Sequence, residues 1–118
     1  MAHKKEYAEK ALEWWLFNNL SVVEKGLQPI ARQFRYPLIN RRFNPIDILA
    51  VDRLGRVVLI EVKLYANKNA VSQLESYKKD FHMNCRTILI AWSFKDNLKI
   101  PKGMKTFQVC EETFNGLD

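Results

Sequence analysis

The stretch PIDILAVDRLGRVVLIEVK, Pro45 to Lys63, decides the fold of this chain. Two apolar, β-branched runs flank a short polar break containing Gly55, a pattern that predicts two antiparallel strands joined by a tight turn. A loop of Arg53, Leu54 and Gly55, with the glycine left-handed, pairs Asp52 with Arg56 and fixes the register. Asp47 then faces Glu61 across the hairpin.

Side chains alternate along a strand, so Leu59, Glu61 and Lys63 share one face while Val58, Ile60 and Val62 take the other. Asp47, Glu61 and Lys63 therefore converge. Two carboxylates and one ammonium inside so apolar a stretch carry a desolvation cost unless further positive charge, such as a divalent cation, joins them. This cluster is the candidate active site.

The chain of 118 residues suits one small domain with a single core, and no second domain is expected. Its 19 Lys and Arg against 13 Asp and Glu give a formal charge of +6, which favours a polyanion, nucleic acid before an anionic membrane. Surplus lysine kept for solubility is the plainer reading of the same charge. Cys85 and Cys110 lack metal-ligand spacing, and His3 and His82 are isolated. The N-terminal stretch has no apolar h-region, and Trp14 to Phe17 is too short to span a bilayer. A soluble, cytoplasmic protein with reduced thiols and no membrane partner is expected.

A helix is expected from about Lys4 to Asn19, where Ala8, Ala11, Leu12, Trp15, Leu16 and Leu20 recur at helical spacing. Glu9 lies on the border of this stripe, whereas Glu6 and Glu13 are rotated further toward water. Glu9 is thus the helix acid nearest the core, or, more plainly, a flank residue pairing with Lys5 or Lys10. Of Trp14 and Trp15 only one can face the core. A strand from Ile30 to Leu38 sets Arg32, Phe34 and Tyr36 against Ala31, Gln33 and Arg35. The polar loop Asn40 to Asn44 carries Arg41 and Arg42, placed either to reach a phosphate backbone beside Asp47 or as a solvated turn.

After Lys63, Leu64 to Asn69 reads as a polar joint, followed by an amphipathic helix from about Ala70 to Met83. Gln73 and Tyr77 share a face of that helix, and the Gln73 amide is suited to orienting water or phosphate oxygen near the site. Lys78 and Lys79 lie on its solvated side. Arg86 to Trp92 reads as a buried strand and Thr106 to Cys110 as an edge strand. The order helix, three strands, helix, two strands describes an α/β fold with a central mixed sheet flanked by helices.

This order, with Asp47, then Glu61-Val62-Lys63, then a helix bearing Gln73, resembles the PD-(D/E)XK nuclease superfamily. Glu9 with Leu16-Phe17-Asn18-Asn19, Gly26, Ile46-Asp47, Glu61-Val62-Lys63 and Ala70-Val71-Ser72-Gln73, with Tyr77 behind, is similar to the catalytic domain of the NucS (EndoMS) endonucleases of archaea and actinobacteria. The similarity covers about Glu9 to Trp92. It implies a restriction-endonuclease-like core in which Asp47, Glu61 and the Val62 carbonyl hold Mg²⁺ or Mn²⁺. It also implies that Lys63 positions or activates water and that Glu9 and Gln73 complete the site. Arg32, Arg35, Arg41, Arg42, Tyr77 and Lys78 are the residues expected along DNA. Enzymes of this family carry an additional N-terminal DNA-binding domain, and the present sequence reads as a single nuclease domain without one.

Two functions compete. A metal-dependent DNA endonuclease, working in repair, recombination or replication-intermediate processing and expected as a homodimer, follows from the filled acid and lysine positions. A non-catalytic nucleic-acid-binding module with a degenerate nuclease fold follows from the high charge and the partner domain expected to be absent.

Overall fold

The computed structural model describes residues 2–35, 45–81 and 84–115. Arg41 and Arg42, with the end of the expected strand from Tyr36 to Leu38, lie outside the described residues.

Helix α1, Ala2–Phe17, is followed by a 3-10 turn at Leu20–Val22. Its last carbonyls have no helical donors, and two asparagines supply them. The Asn18 and Asn19 side-chain amides donate to the Trp14 and Trp15 carbonyls, each at 2.8 Å. Leu12, Leu16 and Leu20 are buried, but Ala8 and Ala11 are exposed, so the apolar stripe is narrower than the spacing predicts. Trp15 packs on the core while Trp14 stays 54% exposed, as two adjacent helix positions require.

Strands β1 (Gln28–Phe34), β2 (Ile46–Val51) and β3 (Val57–Ala66) form an antiparallel meander. The turn between β2 and β3 closes as its sequence predicts. Asp52 N–H donates to the Arg56 carbonyl at 2.9 Å, and Gly55 adopts φ +83°. Helix α2 (Lys68–Asp80) then crosses over to β4 (Cys85–Phe94), which runs parallel to β3, and β5 (Met104–Gln108) pairs parallel to β4. The five strands lie in the order β1-β2-β3-β4-β5. A short helix α3, Glu111–Asn115, follows.

The expected polar joint at Leu64 to Asn69 is mostly strand. Pairing with β4 continues through Tyr65 with Ser93 and Ala66 with Phe94, and only Asn67 intervenes before α2. Asn67 caps that helix, its Oδ1 accepting from the Asn69 and Ala70 backbone N–H groups at 3.0 and 3.4 Å.

The alternation of β3 sorts two cores onto opposite faces of the sheet. Val58, Ile60 and Val62 pack with Leu12 and Leu16 of α1, whereas Leu59 packs with Leu74 and Tyr77 of α2. At the turn end, Arg86 forks onto both Glu24 oxygens at 2.8 Å and reaches Asp52 at 3.1 Å, while Lys105 adds a 2.9 Å bond to Glu24. This network ties β4 and β5 to the hairpin turn and to the segment after α1, at the opposite end of β3 from Glu61 and Lys63. Among the described residues no helix is long and apolar enough to cross a membrane, and Cys85 and Cys110 are free thiols.

Candidate active site

The main-chain ladder between β2 and β3 runs from Val51 and Val57 to Ile48 and Ile60. One residue further, a side chain replaces the backbone acceptor: Asp47 Oδ2 takes the Val62 N–H at 2.8 Å. Glu61 lies beside it, 1% exposed, and its Oε1 has no hydrogen-bond partner among the described residues. Lys63 Nζ stands 4.0 Å from Glu61 Oε2, the outer limit of an ion pair. Burial first, and then the Asp47 charge, push the Glu61 carboxyl far above the ordinary carboxylate range, with Lys63 opposing.

A third acid completes the cluster. Glu13 of α1 is 3% exposed, with Oε2 accepting from Arg32 Nη1 at 2.7 Å and Oε1 from Gln33 Nε2 at 2.6 Å. Its carboxyl is also raised, by burial and then by Asp47, against the opposing bonds from Gln33 and Arg32. Asp47 raises both glutamates, and its Oδ1 lies 3.4 Å from the same Gln33 Nε2 that bonds Glu13.

The helix periodicity misplaces this acid, because it turns Glu13 to water and brings Glu9 closest to the core. Glu13 is indeed about 40° further from the Leu12 and Leu16 stripe than Glu9 at 100° per residue. Arg32 and Gln33 of β1, however, lie over that flank of the helix and bury it. No local pattern reports a strand packed on the border of a helix. Glu9 stays half-buried at the rim, where its Oε2 accepts the Leu64 backbone N–H at 3.0 Å. Glu9, Glu13, Gln33, Asp47 and Lys63 line one cleft of about 190 Å³. A larger hollow of about 530 Å³, between α2 and residues 95–101, contains none of these acids, so volume does not mark the chemistry.

Among the described residues Gln73 bonds no carboxylate. Its amide donates to Tyr77 Oη at 2.7 Å, and that hydroxyl in turn lies 3.4 Å from the Pro45 carbonyl. Burial, and after it the Glu61 and Asp47 charges, push the Tyr77 phenol up to about 12. Tyr77, expected along DNA, is 1% exposed and forms the α2 wall beside the acids. Arg32, also expected there, is bound to Glu13 and lies 4.5 Å over the Trp14 ring. Arg35 is exposed. Lys78 is exposed too and acts on the Cys85 thiol, at the start of β4 and away from the cluster.

No three His, Cys, Asp or Glu side chains among the described residues form an all-side-chain metal cage. Asp47, Glu61 and Val62, the residues expected to hold a cation, lie together on the facing strands β2 and β3, where the Val62 N–H bonds Asp47.

Residues 8–106 match the family model described as the endonuclease NucS C-terminal domain. The chain belongs to this family. The matched NucS segment takes in Glu9, Glu13, Gln33, Asp47, Glu61, Lys63 and Gln73. The endonuclease NucS of Pyrococcus abyssi is 36% identical over an 89-residue alignment that covers 71% of this chain and 34% of that protein. That of Sulfolobus acidocaldarius is 34% identical over an 87-residue alignment that covers 70% of this chain and 33% of that protein. The chain thus spans about a third of the length of the NucS relatives it matches. The crystal structure of a repair endonuclease from Pyrococcus abyssi superposes with a TM-score of 0.65 and 32% identity, covering 87% of this chain and 46% of that one. A structure of EndoMS in complex with double-stranded DNA gives a TM-score of 0.63 at 24% identity, covering 89% and 45%, and shares the fold.

Proposed function

We propose that this chain is a metal-dependent DNA endonuclease domain with a PD-(D/E)XK core, hydrolysing phosphodiester bonds in DNA repair, recombination or the processing of replication intermediates. One observation carries the proposal: a buried glutamate whose Oε1 has no partner among the described residues, Glu61, stands beside Asp47 with Lys63 at its edge. A buried acceptor of this kind costs stability unless a cation or proton meets it. Membership of the NucS C-terminal domain family supports the same reading.

The donor set fits a hard divalent cation that keeps part of its own water, Mg²⁺ or Mn²⁺, held by Asp47, Glu61 and the Val62 carbonyl. When bound, such a cation supplies positive charge against the scissile phosphate and makes water a better nucleophile. The protein's own groups do the rest. The Val62 N–H holds Asp47 Oδ2, so the aspartate keeps its orientation before any ligand arrives. Lys63, with a side chain 30% exposed, is the group free to orient the attacking water or to clamp a phosphate oxygen. Gln73 fixes the Tyr77 hydroxyl at the wall behind Glu61.

DNA is the proposed substrate, met by the +6 charge of the chain. Cutting both strands of a duplex takes two sites, which a homodimer supplies most simply. Sedimentation with and without DNA tests the dimer, and a monomer under both conditions removes it. Cleavage is tested by incubating labelled single-stranded, duplex and branched DNA with Mg²⁺ or Mn²⁺. Nicked or cut products that vanish in Asp47→Ala support the nuclease. Salt-sensitive binding without cleavage, unchanged in Glu61→Gln, supports a non-catalytic module instead.

A further inference from the structure

Gln33 occupies a backbone conformation that glutamine rarely takes, φ +52°. The neighbouring pairs Arg32 with Ile48 and Phe34 with Ile46 put it level with Asp47 across the β1/β2 ladder. Consecutive strand residues ordinarily point to opposite faces. Here Arg32 and Gln33 instead reach the same carboxyl group, on either oxygen of Glu13. The left-handed turn of the backbone at Gln33 allows this, and the same amide nitrogen that bonds Glu13 at 2.6 Å lies 3.4 Å from Asp47 Oδ1.

We infer that Gln33 is a positioning residue of the site, its neutral amide bridging Glu13 and Asp47 so that Asp47 is held on the Val62 N–H and presented toward Glu61. The inference rests on the cation-site reading for its purpose, though its geometry stands on the cation-free protein. The amide has two N–H donors, one for each carboxyl group, and no charge of its own. An arginine or lysine there would neutralise the acids. A glutamate would repel them, and an aliphatic residue would leave two close carboxyl groups without a shared donor. Backbone strain kept at such a position is the mark of a conformation that its surroundings enforce.

The Val62 amide reports the position of Asp47 without cation, substrate or activity. In Gln33→Gly the left-handed backbone becomes easy but the donor is gone, and in Gln33→Glu the shape is kept while the donor becomes an acceptor. Both variants are expected to move the Val62 amide proton upfield in NMR spectra and to speed its exchange with solvent. Amides of the Leu49 to Val51 strand serve as the folding control and stay in place. Both are also expected to weaken Mn²⁺ binding by about tenfold in calorimetry, the usual cost of losing an outer partner of a metal ligand. Unless the Val62 amide moves in both variants, the inference falls, and it also falls if the parent chain binds Mn²⁺ and both variants bind it as tightly. A parent chain that takes up no Mn²⁺, with Val62 shifted in both variants, overturns the cation-site reading and leaves Gln33 as the residue that positions Asp47.

Discussion

The Val62 backbone N–H donates to Asp47 Oδ2 at 2.8 Å, where the next main-chain pair of the β2/β3 hairpin is due. The hairpin thereby exchanges one ladder bond for a fixed carboxylate. It does so directly beside Glu61, the most desolvated acid of the site.

Glu61→Gln gives an amide that can donate to Asp47 and has no charge to bury. We expect the cation-free protein to gain about 1–2 kcal/mol of stability. The same variant loses cleavage and no longer gains thermal stability from added Mn²⁺. Thermal melts of both proteins with and without Mn²⁺ check this, and a less stable variant contradicts it.

The acids of the two ends respond to pH in opposite senses. Glu61 and Glu13 have carboxyl groups raised by burial and by Asp47, so their contribution is complete at acid pH and is lost as pH climbs through their folded values. Glu24 is lowered to about 2, chiefly by its hydrogen bonds from Arg86. For Asp52, burial pushes upward but bonds from Arg56 and then Arg86 outweigh it and bring the group to about 2. These two contribute above the ordinary carboxylate range and fail as pH falls toward 2. Cation-free stability should therefore decline from about pH 5 to about pH 10, first as Glu13 passes about 7 and then as Glu61 passes about 10, and again below about pH 4. Urea midpoints across that range measure it, and Glu61→Gln should flatten only the alkaline limb.

Glu13, not Glu9, shares the Gln33 amide with Asp47. Glu13→Gln is expected to reduce cleavage by about 10–100-fold, in line with the loss of partners around metal ligands, whereas Glu9→Gln costs only a few-fold. Single-turnover rates at saturating cation compare them, and the reverse order would return the catalytic role to Glu9.

Gly26 and Gly55 are both left-handed, at φ +85° and +83°, but only Gly26 is crowded. A Cβ at Gly26 would come 2.7 Å from the Arg53 Cβ, while one at Gly55 meets nothing within 4 Å. Gly55→Ala should cost about 1 kcal/mol for the backbone alone, and Gly26→Ala about 2 kcal/mol or more. Urea unfolding of the two variants separates conformational strain from contact.

Much of the site was legible because it lies on one hairpin. Alternation along Leu59, Glu61 and Lys63 and the left-handed turn at Gly55 are local rules, and Asp47 follows from them by counting. The crossover helix with Gln73 and Tyr77 was legible for the same reason. Its start and the length of β3 were not, since Leu64 to Ala66 become strand only through pairing with Ser93 and Phe94 on a distant segment.

What the sequence determined by itself was the register that puts Asp47 beside Glu61 and the placing of Glu61 and Lys63 on one side of β3, because strand period and turn geometry act over a few residues. Which helix acid joins them was decided only by tertiary structure. Glu13 is buried because β1 lies across α1, and Arg32 and Gln33 both reach it because the backbone turns left-handed at Gln33. Those contacts join residues about 20 apart in the chain, beyond the reach of any periodicity in either segment.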